Sequence, residues 1–267
     1  MTNTNPLWLV HVGRIRIDAR WWLLAIGLAA VAIRLGIWQM DRAELKGAMQ
    51  RRYYDRLAMT AEPCANVRQA RNAQEAAFFR VSLAGRFVPG KEYLWDNRTY
   101  HGEAGYEVLT PFVCNDGTQL LVDRGWIGTG KGRDQLPRWE TPVTPVNLVG
   151  FVFVPASGGA LFNWFTSSEW PSAWPKRIGR LALDRIAQDQ QLGGKYDDSS
   201  ARQAGGRVAN NMYPYPIIVD GPGSGTFAYN FEPASVSPIR NRGYVVQWFA
   251  IAAGILGYLG YRSWQRH

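Results

Sequence analysis

Few residues in this sequence have the types and spacing that enzymatic chemistry requires. An enzyme needs a nucleophile, an acid–base pair or a metal whose surroundings tune its reactivity. Of the three histidines, His11 and His267 lie near the chain ends and only His101 lies in the middle. The sequence contains no GxSxG, Walker, HExxH or dinucleotide-binding motif. We therefore expect no catalytic residue and no metal site, and a protein that binds or assembles rather than an enzyme.

Two polar stretches imitate reactive motifs without their context. The stretch "GTGKGR" (128–133) resembles a phosphate-binding loop, but it lacks the Walker spacing and follows an apolar run. This favours an exposed basic turn. Asp197 and Asp198 lie in a segment rich in Gly and Ser, which is typical of solvated loops. Neither stretch supports a catalytic site.

The stretch "LVDRGWI" (121–127) places charge where packing alone would not require it. Asp123 and Arg124 end an apolar run, and Gly125 and Trp126 follow. Two interpretations stay open. In one, an arginine–acid pair closes a hairpin with the tryptophan in the core; in the other, Arg124, Gly125 and Trp126 contact a partner protein.

The positive charge of the chain is concentrated at its two ends. Residues 1–40 and 241–267 hold seven Lys or Arg against one acid, Asp18, which accounts for +6 of the formal net charge of +9. A nucleic-acid-binding protein is expected to gather cations on its folded domain, where they follow the phosphates. The distribution therefore argues against nucleic acid and favours a membrane surface.

Two apolar stretches are long enough to cross a bilayer. Residues 21–40 and 243–261 contain 20 and 19 residues, and at about 1.5 Å per residue such helices reach roughly 30 Å. Arg34 interrupts the first stretch, but it lies near the end, where its long stem can carry the charge to the interface. The alternative is a pair of buried helices in a soluble core.

The flanking residues predict the orientation of these stretches. Aromatic residues lie near both edges of each stretch, as in an interfacial belt. Basic residues precede the first stretch and follow the second, so the positive-inside rule places both termini in the cytoplasm. We predict a cytoplasmic segment at 1–20, transmembrane helices at 21–40 and 243–261, a periplasmic domain at 41–242 and a cytoplasmic tail at 262–267.

The two cysteines fall in the predicted outer domain. Cys64 and Cys114 could form one disulfide across a loop of about 50 residues. Two unpaired thiols are the interpretation we favour on sequence. Neither cysteine belongs to a CxxC pair or has a histidine at metal-ligand spacing, so a zinc site has little support.

The region between the apolar stretches has the texture of antiparallel β-structure. A four-residue apolar repeat predicts that the first helix continues to Leu57. A second helix is predicted at 180–191, and Asn-Asp-Gly in "CNDGTQ" predicts a hairpin. Long loops are predicted at 155–178 and 195–212. Short β-branched and aromatic runs predict strands at 78–87, 105–113, 118–127, 146–154 and 215–220. The fold class is thus an α+β membrane protein with two terminal helices around a mainly antiparallel domain.

Five motifs in order resemble the Surfeit locus protein one family. "LGIWQMDRAELK" (35–46) is similar to the family's LGxWQxxRxxxK signature, and "LLVDRGWI" (120–127) to its LVNRGWV. The remaining three are "GRF" (85–87), "DNRTYHGEAGYEVLTPFV" (96–113) and "GYVVQWFAIA" (243–252). The resemblance implies an assembly factor for cytochrome c oxidase in the bacterial inner membrane. Its implied partners are the catalytic oxidase subunit, other oxidase assembly factors and membrane lipid. The alternative is an anchored extracytoplasmic binding domain without haem chemistry.

The resemblance also implies transient binding of haem a, through a histidine just ahead of the QWF motif. Asn241 stands at that position here, and an amide is a poor iron ligand beside imidazole. The axial ligand is therefore left open. His101 is a second candidate, with a solvated loop histidine as the alternative.

Other residues near the outer ends of the helices suit haem contact. Arg240 and Arg242 could pair with haem propionates, and Tyr244 and Trp248 offer faces to the macrocycle. Gln247 could bond to the other helix near Gln39. Ordinary interfacial anchoring with one helix–helix hydrogen bond is the alternative. The candidate cofactor contacts are therefore Trp38, Gln39, His101, Arg240, Arg242, Tyr244, Gln247 and Trp248.

Overall fold

The structure is a computed structural model that describes residues 9–12, 15–130, 135–155, 170–190, 212–233 and 238–265. The chain divides into two compact units. The helical unit comprises residues 1–52 and 232–267, and the β-rich unit comprises residues 53–231. Each unit is described by itself. The predicted membrane boundaries at 40/41 and 242/243 are not tested by this division and stay predictions.

The described residues form ten strands and four α-helices. The helices are α1 (Ala19–Leu57), α2 (Ala73–Ala76), α3 (Leu183–Gln190) and α4 (Pro238–Gln265), and a 3-10 helix covers Cys64–Gln69. The strands are β1 (Leu9–Val12), β2 (Ile15–Asp18), β3 (Glu62–Pro63), β4 (Arg80–Phe87), β5 (Tyr93–Tyr100), β6 (Glu103–Cys114), β7 (Gln119–Gly128), β8 (Val146–Val152), β9 (Lys176–Ile178) and β10 (Ile217–Val219).

Helices α1 and α4 pack in antiparallel directions in the helical unit. The contact is made by small residues, Ala29 and Ala32 of α1 against Ala252 of α4, with Trp248 and Leu256 beside them. Small side chains let two helix backbones approach closely. At one end of the pair the indole Nε1 of Trp22 donates to the hydroxyl of Ser263 at 3.3 Å, so the apolar contact is closed by a polar one.

The outer faces of this helix pair are apolar and exposed. Both helices are long and apolar enough to cross a membrane. Leu23 of α1 is 71% exposed and Val246 of α4 is 70% exposed. A helix in a soluble core would bury such side chains, so their exposure disfavours that alternative.

In the β-rich unit, one mixed and mainly antiparallel sheet closes on itself. Its strand order is β3–β4–β8–β10–β7–β6–β5–β9, and an added pairing of β4 with β6 completes a ring of five strands. Alternate residues of β4, Val81, Leu83 and Phe87, point into the ring and are buried. The period of two that identified these strands in the sequence therefore places their apolar side chains inside.

A glycine and a disulfide lie where the ring closes. Gly85 of β4 pairs with Cys114 of β6, and a Cβ at this glycine would clash with the backbone oxygen of Val113. Only glycine permits so close an approach. Cys114 is bonded to Cys64, with 6.4 Å between their Cα atoms. The favoured prediction of two free thiols is therefore wrong, and the disulfide left open by the sequence is present.

Two further layers cover the ring. Helix α3 buries Ile186 and Ala187 in a cluster with Tyr93, Leu109 and Leu121 of the sheet. A separate aromatic cluster gathers around Tyr53, whose hydroxyl lies 2.6 Å from that of Tyr229. Its other members are Leu57, Phe78, Phe151, Phe153, Ile218 and Phe231.

Most predicted elements are confirmed, with several corrections. Helix α1 continues to Leu57, the strands at 78–87, 105–113, 118–127, 146–154 and 215–220 are found as β4, β6, β7, β8 and β10, and the "CNDGTQ" hairpin joins β6 to β7. Strands β1, β2, β3, β5 and β9 were not predicted. Strand β9 lies within the predicted loop at 155–178. Residues 156–169 of that loop, and 195–212 except Met212, fall outside the described residues. Residues 240–243 lie within α4, which begins at Pro238 ahead of the predicted transmembrane stretch.

The disulfide gives a direct test of the β-rich unit. Replacing Cys64 and Cys114 together by serine should lower the free energy of unfolding by about 2–4 kcal/mol, because the unfolded chain loses a constraint across 50 residues. Chemical unfolding of the detergent-solubilised protein, with and without reductant, measures this change. The double variant should be insensitive to reductant, whereas equal stability of wild type and variant would contradict a structural disulfide.

Candidate functional site

A polar cluster joins α1 to α4 at the end of the pair opposite to Trp22. The amide Nδ2 of Asn241 donates to Oε1 of Gln39 at 2.7 Å. The Asn241 Oδ1 accepts from the Lys46 ammonium at 3.1 Å. Asn241 is only 8% exposed. We call Gln39, Lys46 and Asn241 the interhelical cluster.

The sequence explains why these three side chains meet. Gln39 and Lys46 are seven residues apart on α1, so they lie on one face two turns apart. Ala43 lies between them and is buried. Its small side chain leaves room for Asn241 to reach both neighbours. The Gln and Lys belong to the stretch 35–46 that carries the family resemblance.

The other predicted residues of this end lie outside the cluster. Arg240, Arg242 and Tyr244 are exposed on α4. Gln247 is also exposed, and the partner found for Gln39 among the described residues is Asn241 rather than Gln247. Trp248 packs on the alanine contact of the helices. Trp38 is exposed, with the guanidinium of Arg42 at 6.0 Å from its ring centre.

Axial ligation of haem iron does not fit position 241. Both polar atoms of the Asn241 side chain are engaged in hydrogen bonds, and the side chain is buried. An amide is in addition a poor ligand for haem iron. The identity of an axial haem ligand, which the sequence leaves open, stays a prediction.

His101 occupies the tip of a hairpin in the β-rich unit. It lies with Gly102 in the two-residue turn between β5 and β6, where both have positive φ, 49° and 84°. Its exposed ring lies 4.2 Å from that of Tyr100, which in turn lies 5.2 Å from Trp126. The environment is that of a solvated turn with aromatic neighbours. Its predicted role as an iron ligand is untested.

Arg124 is buried in the β-rich unit, with 1% of its surface exposed. Its Nη1 donates to the hydroxyl of Thr141 at 2.8 Å, its Nη2 to the carbonyl of Glu140 at 3.2 Å and its Nε to the carbonyl of Gly225 at 2.5 Å. Burial lowers the pKa of Arg124 to about 10, so it stays charged at neutral pH.

The surroundings of Arg124 bear on both interpretations of "LVDRGWI". The rings of Phe87 and Phe227 lie 4.9 and 4.7 Å from its guanidinium carbon. A buried guanidinium held in this way ties loops together and is not presented to a partner. Among the described residues, its hydrogen bonds go to two backbone carbonyls and two threonine hydroxyls and none goes to a carboxylate, so the predicted arginine–acid pair is not formed there. Gly125 and Trp126 as partner contacts stay predictions.

Asp123 forms a buried acid pair with Glu107 of the neighbouring strand. The two carboxyl groups are hydrogen-bonded to each other, and the pair lies beside the irregular register between β6 and β7. Asp123 also accepts from the backbone N–H of Gly125 at 3.0 Å. That glycine has a φ of 105°, a conformation that favours glycine. Asn230 donates to Glu107 at 3.1 Å.

Burial dominates the electrostatics of the acid pair. It raises the pKa of Glu107 and also that of Asp123, and the charge of Asp123 raises the pKa of Glu107 further. Arg98 opposes this shift, and its own pKa is lowered by burial. We infer that Glu107 keeps its proton and donates it in the bond to Asp123. One negative charge is thus stored near Arg98 rather than two.

Three residues of these sites were missed in the sequence. Lys46 could have been found from its spacing to Gln39 on one helix face. Glu107 could have been found as a lone acid in the apolar run "GYEVLTPFV". No local signal identifies Asn230, because its role depends on a strand pairing more than 100 residues earlier in the chain.

The fold defines a class of protein in which a β-sheet domain lies in the chain between two helices long and apolar enough to cross a membrane. Two apolar helices flank a closed β-sheet in the chain, and the described residues contain no group of three metal-binding side chains. The chain belongs to the SURF1 family, whose model matches residues 26–253.

Three relatives illustrate this membership. A SURF1-like protein of Rickettsia bellii is 29% identical over 88% of this chain and 87% of its own length. An uncharacterized SURF1-like protein of Mycobacterium tuberculosis is 34% identical over 30% of each chain. The cytochrome oxidase assembly protein SHY1 of Saccharomyces cerevisiae is 28% identical over 40% of this chain and 28% of its own length. The match thus spans under a third of the yeast and mycobacterial relatives.

The acid pair predicts an unusual pH dependence of stability. A folded-state pKa above the ordinary value means that the folded protein holds a proton that the unfolded chain releases, so stability is lost as pH rises above about 4.5. Asp123→Asn removes the second carboxylate and should raise the free energy of unfolding at pH 8 by roughly 1–3 kcal/mol, with less change at pH 5.

Unfolding by urea at pH 5 and pH 8 measures this effect. Glu103→Gln is the control, because Glu103 is an exposed acid on β6, the strand that carries Glu107. If Asp123→Asn changes the free energy of unfolding by the same amount at both pH values, the two acids do not share a proton.

Proposed function

We propose that this protein is a membrane-anchored assembly factor for cytochrome c oxidase. Membership of the SURF1 family carries the proposal, and the name of the yeast relative, a cytochrome oxidase assembly protein, supplies the direction. The two structural units favour a binding role. Their polar groups are used to tie strands and helices together, and the described clusters lack a nucleophile paired with a base.

The membrane part of this proposal rests on the helical unit. The two ends of the pair carry polar cross-links, Trp22–Ser263 and the interhelical cluster. Trp22 and Gln39 are 17 residues apart, or roughly 26 Å along a helix, close to the thickness of the hydrocarbon core. Exposed apolar side chains on the length between them suit lipid.

The orientation follows from charge and from the disulfide. Arg14, Arg16 and Arg20 precede the first span, and Arg262 and Arg266 follow the second, so both termini are proposed to be cytoplasmic. The β-rich unit then lies in the periplasm of a bacterial cell. The Cys64–Cys114 disulfide supports this location, since disulfides persist in oxidising compartments.

The proposed partners are the catalytic subunit of the oxidase and other assembly factors. Arg240 and Arg242 are exposed cations on α4 beside the interhelical cluster. Exposed guanidinium groups form charge-assisted bonds with carboxylates, which an acidic protein segment or the propionates of haem a would supply. Tyr244 is exposed next to them and offers an apolar face. No step is assigned to the iron, because Asn241 does not provide a ligand.

Deletion of the coding sequence tests the function. A strain without the protein should contain less assembled haem-copper oxidase and less haem a in its membranes, because maturation of the catalytic subunit is impaired. Difference spectra and oxidase activity measure both. Restoration by the wild-type sequence is the control, and normal haem a content and activity in the deletion strain would refute the proposal.

Purification from cells that make haem a tests the ligand predictions. We expect little haem a with an axial protein ligand in the wild type, no change in His101→Ala, and more bound haem a in Asn241→His, because imidazole is the better ligand. The absorption spectrum of the purified protein reports each outcome. A haem signal present in the wild type and lost in His101→Ala would identify His101 as a ligand and contradict this expectation.

A further inference from the structure

We propose that Asn241 is a positioning residue that sets the rotation of α4 and thereby places Arg240 and Arg242 on opposite flanks of the helix pair as contacts for an acidic partner. This inference rests on the proposed function and concerns the interhelical cluster.

The first step is the polarity of the side chain of Asn241. Its amide donates to Gln39 through Nδ2 and accepts from Lys46 through Oδ1. A side chain of this size without the amide N–H or without the amide oxygen would leave Gln39 or Lys46 without its hydrogen bond in a partly buried place. The loss of such a bond lowers the stability of the helix pair. Lys46 takes part in none of the ion pairs found among the described residues. Its ammonium is positioned by the hydrogen bond that it donates to Asn241.

The hydrogen bonds of Asn241 restrict the rotation of α4 about its own axis. Alanine side chains restrict the rotation of a helix less than directed hydrogen bonds do. The two bonds of Asn241 therefore hold one rotation at this end of α4, as the Trp22–Ser263 bond does at the other end. Successive residues of an α-helix are about 100° apart around its axis. With Asn241 facing α1, Arg240 and Arg242 lie to either side of it, and both are exposed.

The third step concerns charge at the start of α4. The first turn of the helix contains no acidic residue and contains Arg240, and Arg242 follows at the start of the second turn. The N-terminus of a helix already carries positive partial charge, so cations there are unfavourable without an anionic partner. The arrangement is disadvantageous for the isolated helix and suits a surface that receives carboxylates from another protein.

A set of variants tests this inference through oxidase content per amount of protein in the membrane. Asn241→Leu removes both bonds and should lower this ratio at least about threefold, which is the effect of losing a single average interhelical hydrogen bond. Asn241→Asp should keep the wild-type ratio. Its carboxylate accepts from Lys46, and the side-chain amide of Gln39 can rotate so that its Nε2 donates to that carboxylate. The same Asp variant combined with Lys46→Met should lose activity. Gln265→Leu, the same chemical change at the exposed far end of α4, is the control.

Combination with the arginines separates positioning from other roles. Arg240→Gln with Arg242→Gln should lower the ratio, and adding Asn241→Leu should lower it no further, because Asn241 acts through the arginines. The inference would be overturned if the effects of the arginine and asparagine substitutions on oxidase content multiplied. It would also be overturned if Asn241→Leu alone left the oxidase content per amount of protein normal. An unchanged oxidase content in the deletion strain would instead refute the proposed function, so the two failures are distinguishable.

Discussion

Closure of the sheet between β4 and β6 is the constraint on which the β-rich unit depends. The strands of an open sheet would leave two long edges, but the pairing of Gly85 with Cys114 joins them into a ring. This approach requires a residue without a Cβ. The disulfide from Cys64 reaches the same point. Once the ring is closed, its loops fall close enough together for a single buried guanidinium, that of Arg124, to bond to several of them.

Both units place their polar side chains at junctions rather than at open pockets. In the helical unit an amide, an ammonium and a second amide bridge two apolar surfaces. In the β-rich unit a protonated acid beside a charged one bridges two strands at an irregular register. Apolar packing alone permits several arrangements of the same surfaces, and hydrogen-bonded polar groups in the contact favour one of them. Polar side chains used in this way suit a protein that presents a defined shape to partners.

The sequence predicted elements better than it predicted their partners. Alternation of apolar residues identified β4, β6, β7, β8 and β10, since that pattern records a buried face. Strand β5 was missed because "YLWDNRTY" is half-polar and lies toward one edge of the sheet. The disulfide was misjudged because the distance between two cysteines in space depends on closure of the ring. Asn241 was recognised as unusual, but its bond to Lys46 depends on the packing of two helices.

Tyr53 and Phe231 are the first and last residues of the β-rich unit, and their ring centres lie 5.5 Å apart. The chain therefore enters and leaves this unit at one place, and it enters within α1, which continues to Leu57. Chain ends that lie close together can be joined by a short linker, so the β-rich unit has the geometry that circular permutation requires.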